Sequence, residues 1–306
     1  MRYIAALLLL LSIAICSRAN DKVDGHSINL QKQGSHYVFS ADINGVAEAK
    51  VLLESGIPAM LADSAFIFSS GVLSGFELSP TSGEKINLGG RIYVITHKTC
   101  GVVKISEKIT YSGEVFILSQ YAKDYELAVP VQYLRNDSDN AGRIVRLVLE
   151  DNDLKVLDRS TLRSLRKGYS KCRMNTRAYL GMPAVKTELS VIDGNKVRVI
   201  KGNFNLDFGN PELVFLLNQH KDVQKFLEDN SDLELRSARN PRGDVVAQFI
   251  IAERCALCNV EFSDAVIAIT KNLPLFTTVG NIGLKYFKAV DVIFDFDRNT
   301  MYISKL

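Results

Sequence analysis

The sequence predicts a mostly β protein made of two related halves in tandem. Short runs of β-branched and aromatic residues alternate with Gly and Asn turn signals along most of the 306 residues. One octapeptide pattern occurs twice, at residues 51–58 and 204–211, and the segments around it follow in the same order both times. Because a repeated order of segments is typical of a duplicated unit, we expect a first lobe at residues 20–157 and a second lobe at residues 180–306.

Residues 1–19 have the pattern of a secretory signal peptide, which is removed from the mature chain. A short basic start precedes an apolar run of about twelve residues, which is too short to span a bilayer. Small residues at Ser17 and Ala19 fit a cut after Ala19, so we expect an extracytoplasmic protein, periplasmic or secreted. Acylation of Cys16 is the alternative, and it is disfavoured because Ile15 is bulky where a small residue is expected.

The composition argues against several classes of protein. Hydrophobic residues make up 47% of the chain and charged residues 23%, which is typical of a globular protein. A net charge of +3 is too small to indicate a nucleic-acid partner. The later apolar runs are interrupted by charge, so no membrane span is predicted. The four histidines are scattered singly, and neither a metal site nor a cofactor is predicted.

Each half begins with a predicted β-hairpin that leads to an acidic residue. In the first half, residues 36–43 are rich in aromatic and β-branched side chains, Asn44-Gly45 is a hairpin turn signal, and residues 47–54 end at Glu54. In the second half, residues 188–207 repeat the strand, the turn and the strand that ends next to Asp207. The same further segments then follow in both halves. They are a strand that ends in a cysteine (93–100 and 248–255), a second strand (114–118 and 265–269), and an apolar hairpin with a polar turn (147–157 and 292–303).

Two other segments have patterns of their own. Residues 158–179, between the halves, are rich in Arg and Lys and carry little apolar pattern, which predicts a short helix or a basic linker. The favoured interpretation is a solvated connector. The alternative is a site for an anionic partner. Residues 214–227 have apolar side chains at helical spacing, which predicts a helix that covers one end of the second lobe.

The two octapeptides place Glu54 and Asp207 at the ends of apolar strands. The residues that follow the acids and form the turns are Ser55, Gly56, Phe208 and Gly209. Glycine permits a sharp turn next to each acid, and the proline two residues later stops further strand pairing. Two carboxylates that meet cannot both ionise, so they share one proton, and such a pair can hydrolyse amides without a metal. The alternative is that each acid only caps a turn.

The segments Leu53-Glu54-Ser55-Gly56 and Leu206-Asp207-Phe208-Gly209 resemble the two Asp-Thr/Ser-Gly motifs of aspartic peptidases, in the retropepsin and pepsin group. Residues 279–296 are similar to the closing pattern of that family, in which a Gly turn and a short helix precede the final hairpin. The likeness is to the secreted bacterial members with two repeats, and it covers most of the mature chain. It implies a bilobal fold of two β-barrel-like lobes, with Glu54 and Asp207 at the floor of a central cleft that binds an extended peptide or protein.

Two positions depart from the motifs of that family. The first acid is Glu54 instead of Asp, and its extra methylene moves the carboxylate by roughly 1.5 Å on an unchanged backbone, enough to cost about a hundredfold in rate. In that family a Thr or Ser follows each acid, and its hydroxyl hydrogen-bonds to the other half. Here Phe208 follows the second acid, so only Ser55 keeps such a hydroxyl. Both departures predict weakened or lost peptidase activity.

Three functions stay open from the sequence alone. The first is an aspartic-peptidase-like protein that binds a peptide in the cleft and is weak or inactive as a protease. The second is an active endopeptidase that hydrolyses peptide bonds with Glu54 and Asp207 as its dyad. The third is a non-catalytic extracytoplasmic protein whose lobes serve interaction or assembly.

Four cysteines remain after the predicted cleavage, namely Cys100, Cys172, Cys255 and Cys258. An even number in an oxidising compartment favours structural disulfides. A redox or zinc function of the Cys255–Cys258 motif is discounted, because the surrounding pattern predicts strands and a second pair of zinc ligands is missing. The sequence leaves open whether Cys100 pairs with Cys172, or Cys255 with Cys258.

Overall fold

The computed structural model describes residues 26–88, 91–121, 124–137, 142–179, 181–270 and 278–306. The predicted signal peptide, its cleavage position after Ala19, and Cys16 lie outside these residues. The described chain is mostly β, as the sequence predicts, and short helices connect some of the strands.

The first half consists of strands, a helix and a 3-10 turn. In the described residues these are β1 (His26–Asn29), β2 (Gln31–Gln33), β3 (His36–Ile43), β4 (Ala47–Glu54), β5 (Met60–Asp63), α1 (Ser64–Ser70), β6 (Ser79–Pro80), β7 (Lys85–Leu88), β8 (Arg91–Lys104), β9 (Ile109–Leu118), β10 (Leu127–Pro130), the 3-10 turn (Val131–Tyr133), β11 (Leu134–Asn136), β12 (Ile144–Val148) and β13 (Asp153–Val156). The predicted hairpin is β3 and β4. Its three-residue loop, 44–46, has Asn44 and Gly45 at φ 54° and 70°, a conformation that Asn and Gly adopt readily.

The second half repeats this series after a connecting segment. Its described elements are α2 (Arg159–Leu165), β14 (Ser170–Tyr179), β15 (Met182–Asp193), β16 (Lys196–Leu206), β17 (Val214–Leu217), α3 (Lys221–Asp229), β18 (Leu235–Arg239), β19 (Val245–Leu257), β20 (Val260–Thr270), β21 (Gly280–Ile282), α4 (Leu284–Lys288), β22 (Val290–Asp295) and β23 (Thr300–Lys305). The predicted cysteine-bearing strands are β8 and β19. The predicted closing hairpins are β12 with β13 and β22 with β23.

Both halves pair their central strands in the same way. In the first half, β4 runs parallel to β10, β10 antiparallel to β5, and β5 parallel to β9. In the second half, β16 runs parallel to β21, β21 antiparallel to β17, and β17 parallel to β20. The strands that lead to the two acids, β4 and β16, therefore hold equivalent positions in two related lobes, and the predicted duplication is confirmed.

Three strands from each half form one continuous layer that joins the halves. In a 13-stranded sheet, β1, β13 and β12 lie beside β22, β23 and β14, while the other ten described strands of the first half form a second sheet. At the junction Val145 pairs with Phe294 and Leu147 with Val292, and all four side chains are buried. Burying one such side chain contributes about 1.5–3 kcal/mol, so the junction is a packed core.

Residues 158–179 contain the predicted short helix, α2, and also β14, which the sequence does not predict. Asp158 caps the helix by accepting a hydrogen bond from the Thr161 N–H at 2.7 Å. Arg159 forms ion pairs with the fully buried Asp295 and with Asp297, so its charge serves the fold. Although β14 is polar and basic, it pairs with both β23 and β15. Its neighbours in the sheet, and not its own pattern, decide its structure.

The helix predicted over residues 214–227 is wrong for its first part. Residues Val214–Leu217 form the strand β17, which lies between β21 and β20, and the helix α3 covers Lys221–Asp229. The β-branched Val214 and the aromatic Phe215 suit a strand in the middle of a sheet. The apparent helical spacing arose because apolar residues of two separate elements were read as one series.

Candidate active site

Glu54 and Asp207 meet at the ends of two equivalent strands. Glu54 is the last residue of β4 and Asp207 follows β16, and the three residues before each acid are buried. A Cβ atom placed on Gly56 would lie 2.9 Å from Asp207 Oδ1, and one placed on Gly209 would lie 2.9 Å from Glu54 Oε1. Each carboxylate therefore lies against the glycine of the other half.

The extra methylene of Glu54 does not keep its carboxylate from the opposite glycine. The Ser55 N–H donates to Glu54 Oε2 at 3.3 Å, which shows that the side chain folds back over its own turn. The oxygens of Glu54 and Asp207 consequently make equivalent contacts with the opposite glycines. The displacement expected for an unchanged backbone is absorbed by this curled conformation.

Ser55 ties the two halves together beneath the acids. Its side chain is fully buried, and its Oγ donates to the Leu206 carbonyl at 2.9 Å and accepts from the Phe208 N–H at 3.0 Å. The Phe208 ring packs edge-on against Phe287, with ring centroids 4.8 Å apart, and is itself 2% exposed. The hydroxyl that is missing at position 208 is thus replaced by an aromatic side chain in the core of the second half.

Sequence reasoning missed the polar residues that hold Asp207. Asn281 of β21 donates from Nδ2 to Asp207 Oδ2 at 2.8 Å. Asn205 of β16 in turn donates to Thr278 at 3.1 Å and to Asn281 at 3.5 Å. At the equivalent places of the first half stand the apolar Leu52 and Ala128, which pair in the same register. Only a comparison of paired strands across the two halves could have found this difference.

Gln132 supports the turn of the first acid and was missed as well. It is 2% exposed, and its Nε2 donates to the carbonyl oxygens of Ile57 at 3.0 Å and Ser55 at 3.4 Å. A buried amide that bonds two carbonyls of one turn fixes the backbone of that turn. A single Gln after an apolar strand carries no sequence signal for such a contact.

The surroundings of the two acids favour one shared proton. Burial raises the pKa of Glu54 to about 8, the Asp207 charge adds to the rise, and backbone N–H groups of both turns oppose it. Burial also raises the pKa of Asp207, opposed by the Asn281 amide, by backbone N–H groups and by the nearby His36. Because Asn281 stabilises the ionised form of Asp207, we assign the shared proton to Glu54. Both residues keep a partly solvent-accessible face.

Stability is expected to fall as pH rises from about 5 to about 9. Folding raises the pKa of Glu54 from 4.5 to about 8, so the folded state binds this proton more tightly. The resulting stabilisation is complete below the unfolded-state pKa of 4.5 and is lost as pH rises through the folded-state pKa of about 8. The melting temperature of the wild type should therefore decrease over this range, and that of Glu54→Gln should decrease much less.

Thermal denaturation at both ends of the pH range measures this effect. Glu107→Gln, which removes an exposed carboxylate on a turn, is the control and should keep the wild-type slope. Equal slopes for the wild type and Glu54→Gln would contradict the raised pKa of Glu54.

An aromatic row extends from Glu54 to the hairpin of β7 and β8. Burial raises the pKa values of Tyr121 and Tyr125, and the Glu54 charge raises them further. Tyr121 packs edge-on against Tyr125 at 5.7 Å and against Tyr93 at 5.5 Å. These tyrosines and the exposed Ile92 line an open pocket of about 870 Å³.

No protein-family model and no curated protein matches the sequence. Among solved structures, an aspartic proteinase from Irpex lacteus matches with a TM-score of 0.57 and 9% identity, over 92% of this chain and 97% of that chain. This chain has the aspartic-proteinase fold. Basic 7S globulin from soybean matches with a TM-score of 0.55 and 8% identity, over 92% and 95% of the two chains.

In this aspartic-proteinase fold the predicted closing pattern is present, as β21, α4 and the hairpin of β22 and β23. In the part of the chain that the structure describes, no helix is long and apolar enough to cross a membrane.

The four described cysteines are free thiols. Cys100 is exposed on β8, Cys172 is half-buried on β14, and Cys255 and Cys258 are buried. Neither pairing considered from the sequence, Cys100 with Cys172 or Cys255 with Cys258, is formed.

Proposed function

We propose that this protein binds extended peptides in a cleft between its two halves and hydrolyses them slowly, with Glu54 and Asp207 as the catalytic pair. The contact of each carboxylate with the glycine of the other half carries the proposal. If each acid only capped its own turn, its carboxylate would not need to contact the glycine of the other half. The fold shared with an aspartic proteinase supports the same function.

The two acids have different roles in the proposed reaction. Asp207, whose ionised form is stabilised by Asn281, takes a proton from water, and the water oxygen attacks the peptide carbonyl carbon. Glu54 donates its proton to the carbonyl oxygen, which gives a neutral tetrahedral diol. The C–N bond then breaks as Asp207 returns a proton to the leaving nitrogen and Glu54 regains one from a hydroxyl of the diol.

Slow turnover follows from the asymmetric support beneath the acids. Ser55 supplies a single hydroxyl across the axis, and the second position is Phe208. The turn that carries Asp207 is therefore bonded to the first half by Ser55, whereas Phe208 gives the turn that carries Glu54 no hydroxyl in return. Reacting groups that are held less tightly spend less time in the productive geometry, which lowers the rate.

The aromatic row indicates the substrate side chain that binds beside Glu54. Tyr93, Tyr121 and Tyr125 form an apolar wall with polar tips, which suits a large apolar or aromatic residue. The neighbouring hairpin of β7 and β8 offers main-chain groups to an extended peptide, and strand addition of this kind gives affinity without sequence preference.

Cleavage of denatured casein between about pH 3 and pH 9 tests the proposal. The mature protein should release new peptide ends up to neutral pH, and activity should decline as pH rises past about 8, where Glu54 loses its proton. Glu54→Gln and Asp207→Asn should each lower the rate by at least about 100-fold. Glu107→Gln, matched to the first variant in chemistry, should cleave like the wild type.

Two other results would change the conclusion. Equal cleavage by the wild type and both dyad variants would indicate a contaminating protease and remove the support for this pair. Tight binding of a peptide without any cleavage would favour a non-catalytic peptide-binding protein, the function that the Phe208 substitution supports.

We further propose that the protein works outside the cytoplasm, like the secreted bacterial two-repeat peptidases that its motifs resemble. The signal-peptide pattern of residues 1–19 supports this location. A secreted chain that begins at Asn20 is the expected result of N-terminal sequencing, and an uncleaved or lipid-modified chain would contradict it.

A further inference from the structure

Two cysteines come together where one strand changes its partners. β15 pairs with β14 up to Val185 and with β19 from Leu189 onwards. The residues between these two ladders, 186–188, lie beside the ends of both partner strands. Cys172 is at the β14 end of this gap and Cys258 is at the β19 end, so the backbone brings both to the same place.

The two side chains lie close enough to interact. The Cys258 thiol donates a hydrogen bond to the Cys172 sulfur, which lowers the pKa of Cys172 and raises that of Cys258. The Thr187 and Tyr286 hydroxyls oppose the rise in the pKa of Cys258. Cys258 is 4% exposed, while Cys172 keeps partial access to solvent. The Cys172 thiol is therefore accessible to a reagent, and the buried Cys258 thiol lies beside it.

Cys258 also occupies a backbone position that does not favour cysteine. It has φ 49° and the following Asn259 has φ 64°, in the turn that joins β19 to β20. Turns of this kind prefer Asn, Asp or Gly at both central positions, because other side chains are strained there. A function for the Cys258 side chain gives a reason for this choice.

We propose that Cys172 and Cys258 form a disulfide that ties β14 to the turn between β19 and β20. The bond closes a loop of 258 − 172 = 86 residues. It links the strand that leaves the junction between the halves to the body of the second half. It is independent of whether the acid pair hydrolyses peptides.

The oxidation needs a disulfide oxidant such as oxidised glutathione. The Cys172 thiolate, which is the more accessible, attacks one sulfur of the oxidant, releases one thiol and forms a mixed disulfide. Cys258 then loses its proton and attacks the Cys172 sulfur, which releases the second thiol. Two protein thiols become one disulfide, and the oxidant is reduced to two thiols that take up the two protons.

Disulfide mapping of the mature protein tests the proposal. The protein is equilibrated with oxidised and reduced glutathione, its remaining thiols are alkylated, and it is digested at Glu residues without reduction. Cys172 then lies in peptide 151–188, and Cys255 and Cys258 lie together in peptide 254–261. We expect these two peptides to be linked and Cys100 to be alkylated.

Matched alanine variants identify the cysteine that is linked. Cys255→Ala should keep the link, and Cys258→Ala should lose it. Reducing agent should lower the melting temperature of the wild type and of Cys255→Ala by about 5–10 °C and leave that of Cys172→Ala unchanged.

Two results would overturn the proposal. One is alkylation of all four cysteines after oxidation, and the other is loss of the link in Cys255→Ala. Mapping on the wild type and Cys255→Ala decides the question even if Cys258→Ala does not fold.

Discussion

Replacing Gly56 by Ala is expected to lower peptide cleavage by about 100-fold or more while the fold persists. The new Cβ would lie 2.9 Å from Asp207 Oδ1, which is too close for a carbon and an oxygen that are not bonded. Because the carboxylate is the end of a side chain, it moves and the backbone does not, so we expect the free energy of unfolding to change by only about 1–3 kcal/mol. A displacement of about 1 Å at the base costs roughly a hundredfold in rate. Measuring kcat/KM on a casein-derived peptide beside a urea titration separates the two effects.

A second glycine supplies the control for this variant. The Cβ of Gly75→Ala would meet no atom within 4 Å, so this variant should match the wild type in both measurements. Gly209→Ala should lose activity as well, because its Cβ would lie 2.9 Å from Glu54 Oε1 and 3.2 Å from Asp207 Oδ1. If Gly56→Ala cleaves within threefold of the wild type, the position of Asp207 does not limit the reaction.

Replacing Ser55 by Ala is expected to destabilise the protein by about 2–5 kcal/mol. The change removes the partner of two buried backbone groups at once, the Leu206 carbonyl and the Phe208 N–H. Each unsatisfied buried group costs about 1–3 kcal/mol. These bonds join the first half to the turn that carries Asp207, so cleavage should fall as well. Urea denaturation should show a lower midpoint with an unchanged slope.

Two further variants show whether the Ser55 hydroxyl is responsible for the loss of stability. Ser55→Thr keeps the hydroxyl and should recover part of the lost stability. Ser69→Ala removes an exposed hydroxyl near the end of α1 and should have no measurable effect. A Ser55→Ala protein as stable as the wild type would mean that water replaces the hydroxyl at this position.

The strand order could be predicted because its signals are local and occur twice. The turn at Asn44-Gly45 needs positive φ at both residues, which Asn and Gly adopt readily, so its geometry follows from two side chains. The glycine after each acid likewise follows from the need for a sharp turn. Duplication strengthened these signals, because an ambiguous strand in one half could be checked against its counterpart in the other.

Local signals failed where a segment's neighbours decide its structure. β14 has a polar and basic sequence, and it is a strand because β15 and β23 offer open edges on both sides. β17 was read as helix because its apolar residues run on into those of α3. Strand propensity depends on packing against neighbours, and those neighbours are distant in the sequence.

The sequence by itself determined that two acids stand at equivalent strand ends, each followed by a glycine that lets the backbone turn. Only the tertiary structure decided that Glu54 curls back to reach the opposite glycine, that Asn281 binds Asp207 and that Cys172 lies beside Cys258. Local patterns reflect the conformational preferences of neighbouring residues. These contacts join strands that are far apart in the chain, and such distances are set by how whole sheets pack.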